Sequence, residues 1–276
     1  MNAAMRLASV FLAVAFLASG CNRGGGGDAA EHSEKAGGEA AKPAVPAPGH
    51  SDASPTPAPG VTLSGKVHLI GQPPAPSVLK MDADAVCSKA HPDSPPVSQE
   101  VVVDASGNLA NVFVFVRNGL EGKSFATPPS PVVLDQKGCM YTPHVLGMMV
   151  NQPLKMLNSD PTLHNIHAHP KVEGNKEFNL AMPRPGLEHT RTFTKEEIMI
   201  PVKCDVHPWM VSYIGVLVHP FFAVTDHNGS FKIPDLPAGT YTIETWHEKY
   251  GAQTQTLTVG ATPTAELDFS YQAGGS

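Results

Sequence analysis

The chain has 276 residues and a formal net charge of −6, long enough for one large or two ordinary domains whose cores fold unaided. No Lys- or Arg-rich block interrupts it, which excludes the electrostatic footprint of a nucleic-acid binder. Its 25 Gly and 27 Pro, set among recurring runs of Val, Ile, Thr, Phe and Tyr, are the composition of a β protein with short strands and many turns.

The first segment has one basic residue, Arg6, then the apolar run "LASVFLAVAFLA" and "LASGC". The run is too short and too Ala-rich to span a bilayer comfortably. It resembles a bacterial lipoprotein signal ending in a lipobox, with Leu17-Ala18-Ser19-Gly20 before Cys21; Ala18 stands where Leu is commonest. The resemblance implies that residues 1–20 are removed and that Cys21 becomes the lipidated first residue, facing the periplasm or the cell surface. Asn22 after that cysteine favours the outer membrane under enterobacterial sorting logic. The alternative is an ordinary secretory signal.

Residues 21–60 follow as Gly, Ala, Pro, Ser and charge, with too little apolar surface to fold. As a flexible coil such a tether holds the folded part about 35 Å from its anchor.

From Val61 the text alternates strands and turns. "VTLSGKVHLIG" alternates apolar and polar residues. "EVVVDASGNLANVFVFV" reads as two strands about the turn Ala105-Ser106-Gly107-Asn108, and Asn228-Gly229 reads as a hairpin turn before Phe231 and Ile233. No amphipathic helix of more than two turns is expected. The class is all-β, as sandwiches.

Four cysteines are present. With Cys21 given to lipid, Cys87, Cys139 and Cys204 remain in a compartment that permits disulfides. The expected division is a Cys87–Cys139 disulfide with Cys204 free for chemistry; the alternative is three buried thiols.

"IPVKCDVHPWMVSYIGVLVHP" places Cys204, His207 and Met210 in one short loop, and "PLKMLNSDPTLHNIHAHP" supplies His164, His167 and His169 upstream. A thiolate and two imidazoles with a weak thioether form the donor set of a blue-copper centre. Cu(I) prefers soft sulfur and Cu(II) favours nitrogen, so a rigid mixed set suits both states and little moves when an electron arrives.

Cys204-Asp205-Val206-His207-Pro208-Trp209-Met210 resembles the copper loop of amicyanin-type cupredoxins, with Pro and an aromatic between the His and the Met. Asn158 followed by His164-Asn165-Ile166-His167 is similar to the segment carrying that family's first histidine ligand. The resemblance implies a Greek-key cupredoxin sandwich over residues 120–219 and one type 1 copper held by His164, Cys204, His207 and Met210. It implies that Asn165 ties the two ligand loops together. It further implies that the His207 edge is the electron port, with Pro208 and Trp209 beside it on a docking face. Redox partners would be a c-type cytochrome or a periplasmic dehydrogenase, met in small transient encounters.

His167 and His169 read as surface or second-shell histidines, since no clustered carboxylate or fourth donor is evident in the sequence; the alternative is a second metal site beside the first. His144 reads as a strand or turn residue, with a ligand role as the alternative, and Met148 and Met149 as core. Asp205, not a histidine, follows Cys204, and no nucleophile–base constellation is present. No catalytic residues are therefore expected, and the chain is not read as an enzyme.

Thr225-Asp226-His227-Asn228-Gly229-Ser230-Phe231-Lys232-Ile233 and Leu236-Pro237-Ala238-Gly239-Thr240-Tyr241 resemble the carboxypeptidase regulatory-like (transthyretin-like, Ig-like) β-sandwich. "LSGKVHLIG" fits the opening strand of that module. This implies a split module, residues 61–119 and 220–272, around the cupredoxin unit; three units in a row are the alternative. The expected function is a lipid-anchored, periplasm-facing one-electron carrier. The alternatives are a copper storage or delivery lipoprotein, or a non-metal surface binding module.

Overall fold

The structure is a computed structural model and describes residues 60–260 and 262–274. Residues 1–59, which hold the expected signal peptide, Cys21 and all but the last residue of the expected tether, lie outside the described residues. Among the described residues no helix is long and apolar enough to cross a membrane.

The described chain is all-β apart from one short helix, α1 (Ala85–Lys89). One sandwich joins two strands from the start of the described chain with six from its end. Its first sheet sets β1 (Val61–Ile70) against β13 (Ser230–Leu236), β16 (Thr264–Glu266) and β17 (Phe269–Gln272). Its second sheet has the order β12-β2-β14-β15, from β2 (Phe113–Asn118), β12 (Phe222–Val224), β14 (Gly239–His247) and β15 (Gly251–Val259). Period-2 alternation builds the core between them. Leu63, Val67 and Leu69 from β1 meet Ile233, Tyr241 and Ile243 from β13 and β14.

The intervening residues form a second sandwich. One sheet has the order β4-β3-β6-β9, from β3 (Val132–Lys137), β4 (Met140–Thr142), β6 (Leu154–Asn158) and β9 (Glu188–Arg191). The other has the order β5-β11-β10-β7-β8, from β5 (Val145–Met149), β7 (His164–Ala168), β8 (Phe178–Met182), β10 (Glu197–Lys203) and β11 (Val211–Leu217). Met148 lies in its core, and both Met148 and Met149 are buried.

The run "FVFV" of β2 is buried at every position because the strand is covered on both faces. Val114 and Val116 enter the core of the first sandwich, while Phe113 and Phe115 pack with Val145, Met199 and Leu217 of the second. Burying each of these phenylalanines contributes about 1.5–3 kcal/mol. Gly147 and Gly215 make the close approach possible. A Cβ on Gly147 would lie 2.4 Å from the Phe222 ring, and one on Gly215 would lie 2.5 Å from the Phe113 ring.

Two local expectations fail. Residues 101–104 form no strand with the residues after the 105–108 turn. Only isolated bridges occur, Val103 to Leu109 and His68 to Asn108. The Asp104 carboxylate accepts from the main-chain N–H of Ser106 and Asn108 and from the Asn108 side chain, and so curls the segment into a loop instead. Asn228-Gly229 does make a tight turn, with Gly229 at φ +65° and Gly229 N–H donating to Asp226 O at 2.9 Å. Its flanking strands do not pair with each other; β12 joins β2 and β13 joins β1. Buried Thr225 directs the split. Its Oγ1 accepts from Val112 N–H and donates to Leu109 O, both at 2.9 Å.

Candidate metal centre

The Cys204–Met210 loop closes on itself. Cys204 N–H donates to Met210 O at 3.2 Å, and Met210 N–H donates to His207 O at 2.9 Å. β10 delivers this loop beside β7, through the antiparallel pairs Lys203–His167 and Val202–Ala168. That pairing carries His164, the first residue of β7, to the loop. His164 Nδ1 and His207 Nδ1 are 2.9 Å apart, and Cys204 Sγ is 3.8 Å from His207 Nδ1. One donor atom from each of the three lies within 4.8 Å of the others. All three residues are buried, and Met210 is buried in the same loop.

Each imidazole is held from behind by a carboxylate. His164 Nε2 is 3.1 Å from Asp160 Oδ2, and His207 Nε2 is 3.3 Å from Asp84 Oδ2. Asp160 is itself fixed by the N–H groups of Gly138 and Cys139, each at 2.7 Å. The Asn165 carbonyl accepts from Tyr141 Oη at 2.7 Å and from Gln136 Nε2 at 2.9 Å. The Asn165 side chain accepts from Asp205 N–H at 2.7 Å and donates to Asp205 Oδ2 at 2.9 Å. Asn165 therefore bridges the two ligand-bearing segments.

The electrostatics follow from this packing. Burial opposes ionisation of the Cys204 thiol, but the hydrogen bond from His164 and the main-chain N–H groups of Asn165, His207 and Val206 outweigh it and lower its pKa. Burial likewise opposes protonation of His164, yet Asp160 and the Cys204 sulfur raise its pKa to about 9. His207 is pushed down by burial; Asp84 opposes this and the neighbouring His164 charge adds to it. Two Nδ1 atoms that face each other at 2.9 Å need a proton or a cation between them. A thiolate-prone sulfur beside them, with a buried thioether in the same loop, fits a soft or borderline metal such as copper.

The His207 edge departs from expectation. His207 is 2% exposed, because the chain between β1 and β2 crosses over it. Asp84 caps α1, accepting from Val86 N–H and Cys87 N–H, and this sets Cys87 Sγ 3.6 Å from His207 Nε2. Cys87 and Cys139 form a disulfide. Trp209 turns inward, its Nε1 donating to Cys139 O at 3.0 Å and its ring centroid 5.0 Å from that of His207. Pro208 remains exposed. The His207 imidazole is thus no surface port, and Trp209 forms part of its cover. A sequence signal existed only in part: Cys87 was expected to pair with Cys139, but nothing in the text linked either to His207.

His144 precedes β5 and is buried. Its Nδ1 donates to Val211 O at 3.0 Å, and its Nε2 pairs with Glu248 of the first sandwich. His167 and His169 point outward together, their ring centroids 3.8 Å apart. Glu177, which the sequence did not single out, joins them from across the β7–β8 hairpin.

Residues 216–272 match the carboxypeptidase regulatory-like domain family. No curated protein matches the chain. Among solved structures the chain is similar to a Cu(I) variant of amicyanin, at 20% identity over 37% of this chain and 97% of that one, with a TM-score of 0.29. It is also similar to the Cu-containing nitrite reductase of Thermus scotoductus SA-01, at 24% identity over 36% of this chain with a TM-score of 0.28. That match spans 25% of the nitrite reductase chain.

Proposed function

We propose that the chain is a type 1 copper protein that carries single electrons, with His164, Cys204, His207 and Met210 as ligands. The observation that carries this reading is the convergence of one thiol and two imidazoles, all buried, within 4.8 Å of one another. Copper bound there supplies a one-electron couple between Cu(I) and Cu(II). The chain's own residues do the rest. Asp160 and Asp84 orient the rings, Asn165 ties the loops, and the surrounding core excludes water. On this reading the protein is a carrier without catalysis of its own. It sits in the bacterial envelope, anchored by lipid on Cys21 and facing the periplasm, and exchanges electrons with a c-type cytochrome or a periplasmic dehydrogenase. The first sandwich serves as scaffold.

One observation favours a second reading. The cover over His207 closes the edge through which cupredoxin-like carriers would meet a partner, which suits copper storage or delivery. The full chain, given Cu(II) and examined by visible spectroscopy before and after ascorbate, separates the readings. An intense thiolate-to-copper band that bleaches and returns supports the carrier. Cu(I) uptake without such a band supports storage or delivery, and no uptake supports a surface binding module free of metal.

A further inference from the structure

Residues 167–179 fold into a two-stranded corner of the second sandwich. β7 pairs with β8 in the register His167–Asn179 and Ala168–Phe178. Alternation turns His167 and His169 to the same face of β7 and its continuation, opposite buried Ala168. Glu177 stands one position before Phe178, across from His169. His167 Nε2 is 2.7 Å from Glu177 Oε1, and His169 Nδ1 is 3.8 Å from the same oxygen. The donor atoms of all three lie within 4.8 Å of one another, and ligands of a tetrahedral zinc at about 2.0 Å stand roughly 3.3 Å apart.

The orientation of His167 is built. Its Nδ1 lies 3.1 Å from Asp205 Oδ2. Asp205 is in turn pinned by Asn165 Nδ2 at 2.9 Å and Asn179 Nδ2 at 2.7 Å. A carboxylate on one ring nitrogen, leaving the other aimed at further donors, is how metal-binding histidines are held. The His169 and Glu177 side chains are 37% and 62% exposed, so water can complete the coordination, as in open zinc sites.

We propose that His167, His169 and Glu177 form a second, solvent-open site for a borderline divalent cation, Zn²⁺ or Cu²⁺, separate from the buried His164, Cys204 and His207. Asp205 is its positioning residue. The site stands on its own geometry and does not depend on the buried centre holding copper.

Zinc titration of the full chain by calorimetry tests this. The unmodified protein is expected to bind one more equivalent of Zn²⁺ than His169→Ala, and Glu177→Gln is expected to bind that equivalent at least tenfold more weakly. In a Cys204→Ser background, which disables the buried centre, the outer equivalent remains, and adding His169→Ala removes it. A failed copper reading would alter the visible spectrum and leave this pattern intact. In the unmodified protein, the ring resonances of both His167 and His169 shift within the first two equivalents of Zn²⁺. Equal zinc stoichiometry and affinity in the unmodified and His169→Ala proteins, or rings that do not shift, would reduce the cluster to a surface ion pair and overturn the proposal.

Discussion

Cys87 Sγ lies 3.6 Å from His207 Nε2, although 120 residues separate them. One half of the disulfide is therefore packed on the outer edge of a candidate ligand, and the other half, Cys139, receives the indole N–H of Trp209. The cross-link binds the chain between β1 and β2 to the second sandwich at the point where the candidate metal centre would otherwise meet solvent.

That cross-link closes a loop with a sequence separation of 52, and chain-entropy reasoning assigns such a closure about 4 kcal/mol. Paired replacement Cys87→Ser with Cys139→Ser is expected to lower stability by roughly this amount. Urea unfolding of the oxidised protein and the double variant measures it. An unchanged midpoint would show that the contacts of Asp84 and Trp209 hold the cover without the bond.

In copper-loaded protein, Asp84→Ala is expected to speed removal of Cu(I) by an external chelator. It removes the carboxylate behind His207 Nε2 and the cap of α1 together. Loss of the cap alone costs about 1 kcal/mol. Stopped-flow chelation on the unmodified and variant proteins decides whether the cover limits access; equal rates would mean that it does not.

Asp160→Ala leaves the N–H groups of Gly138 and Cys139 and the His164 ring without their acceptor. Each buried group so orphaned costs about 1–3 kcal/mol. Metal affinity is expected to fall 10–100-fold, as for other outer-shell partners. Thermal unfolding and competitive metal titration read the two effects separately, and a stability loss with full affinity would confine Asp160 to a structural role.

Gly215→Val drives a side chain into the Phe113 ring and the Met199 methyl, which would lie 2.5 and 2.7 Å from a Cβ there. The expected cost is about 1–3 kcal/mol, and Phe113→Ala on the other side of the contact should cost about 3–5 kcal/mol. Chemical denaturation of the two variants tests whether the sandwiches stabilise each other.

Burial pushes the His247 pKa down to about 4, and its Nδ1 accepts from Lys249 N–H at 3.1 Å. Its unfolded value is near 6.5. Protonation therefore favours the unfolded chain. The stability is fully present above about pH 6.5, is lost progressively as pH falls toward 4, and amounts to about 3 kcal/mol over that window. His247→Gln should flatten this part of the stability–pH curve. An identical slope in both proteins would assign the acid sensitivity to other groups.

The alternation of "VTLSGKVHLIG" was legible because each residue of β1 reports its own face. The Cys204-x-x-His207-x-x-Met210 spacing was legible because one loop holds all three. The cover was not, since Asp84 and Cys87 sit in an aperiodic Ser/Pro/Asp stretch that becomes informative only once folded against His207. Glu177 was missed for a similar reason. It lies beyond a turn, and only the β7–β8 register sets it opposite His169. The "FVFV" of β2 reads as a strand, but its packing against two cores was not legible, because a doubly covered strand loses the alternation that reveals which side faces which core.

β2 and β12 are hydrogen-bonded neighbours, Phe115 opposite Phe222 and Phe113 opposite Val224, and everything from β3 to β11 is strung between them. A protease that nicks an exposed loop of that inner unit would yield two polypeptides on a reducing, denaturing gel. Under native conditions they would still migrate as one particle, because the broken ends remain knitted into the same sheet.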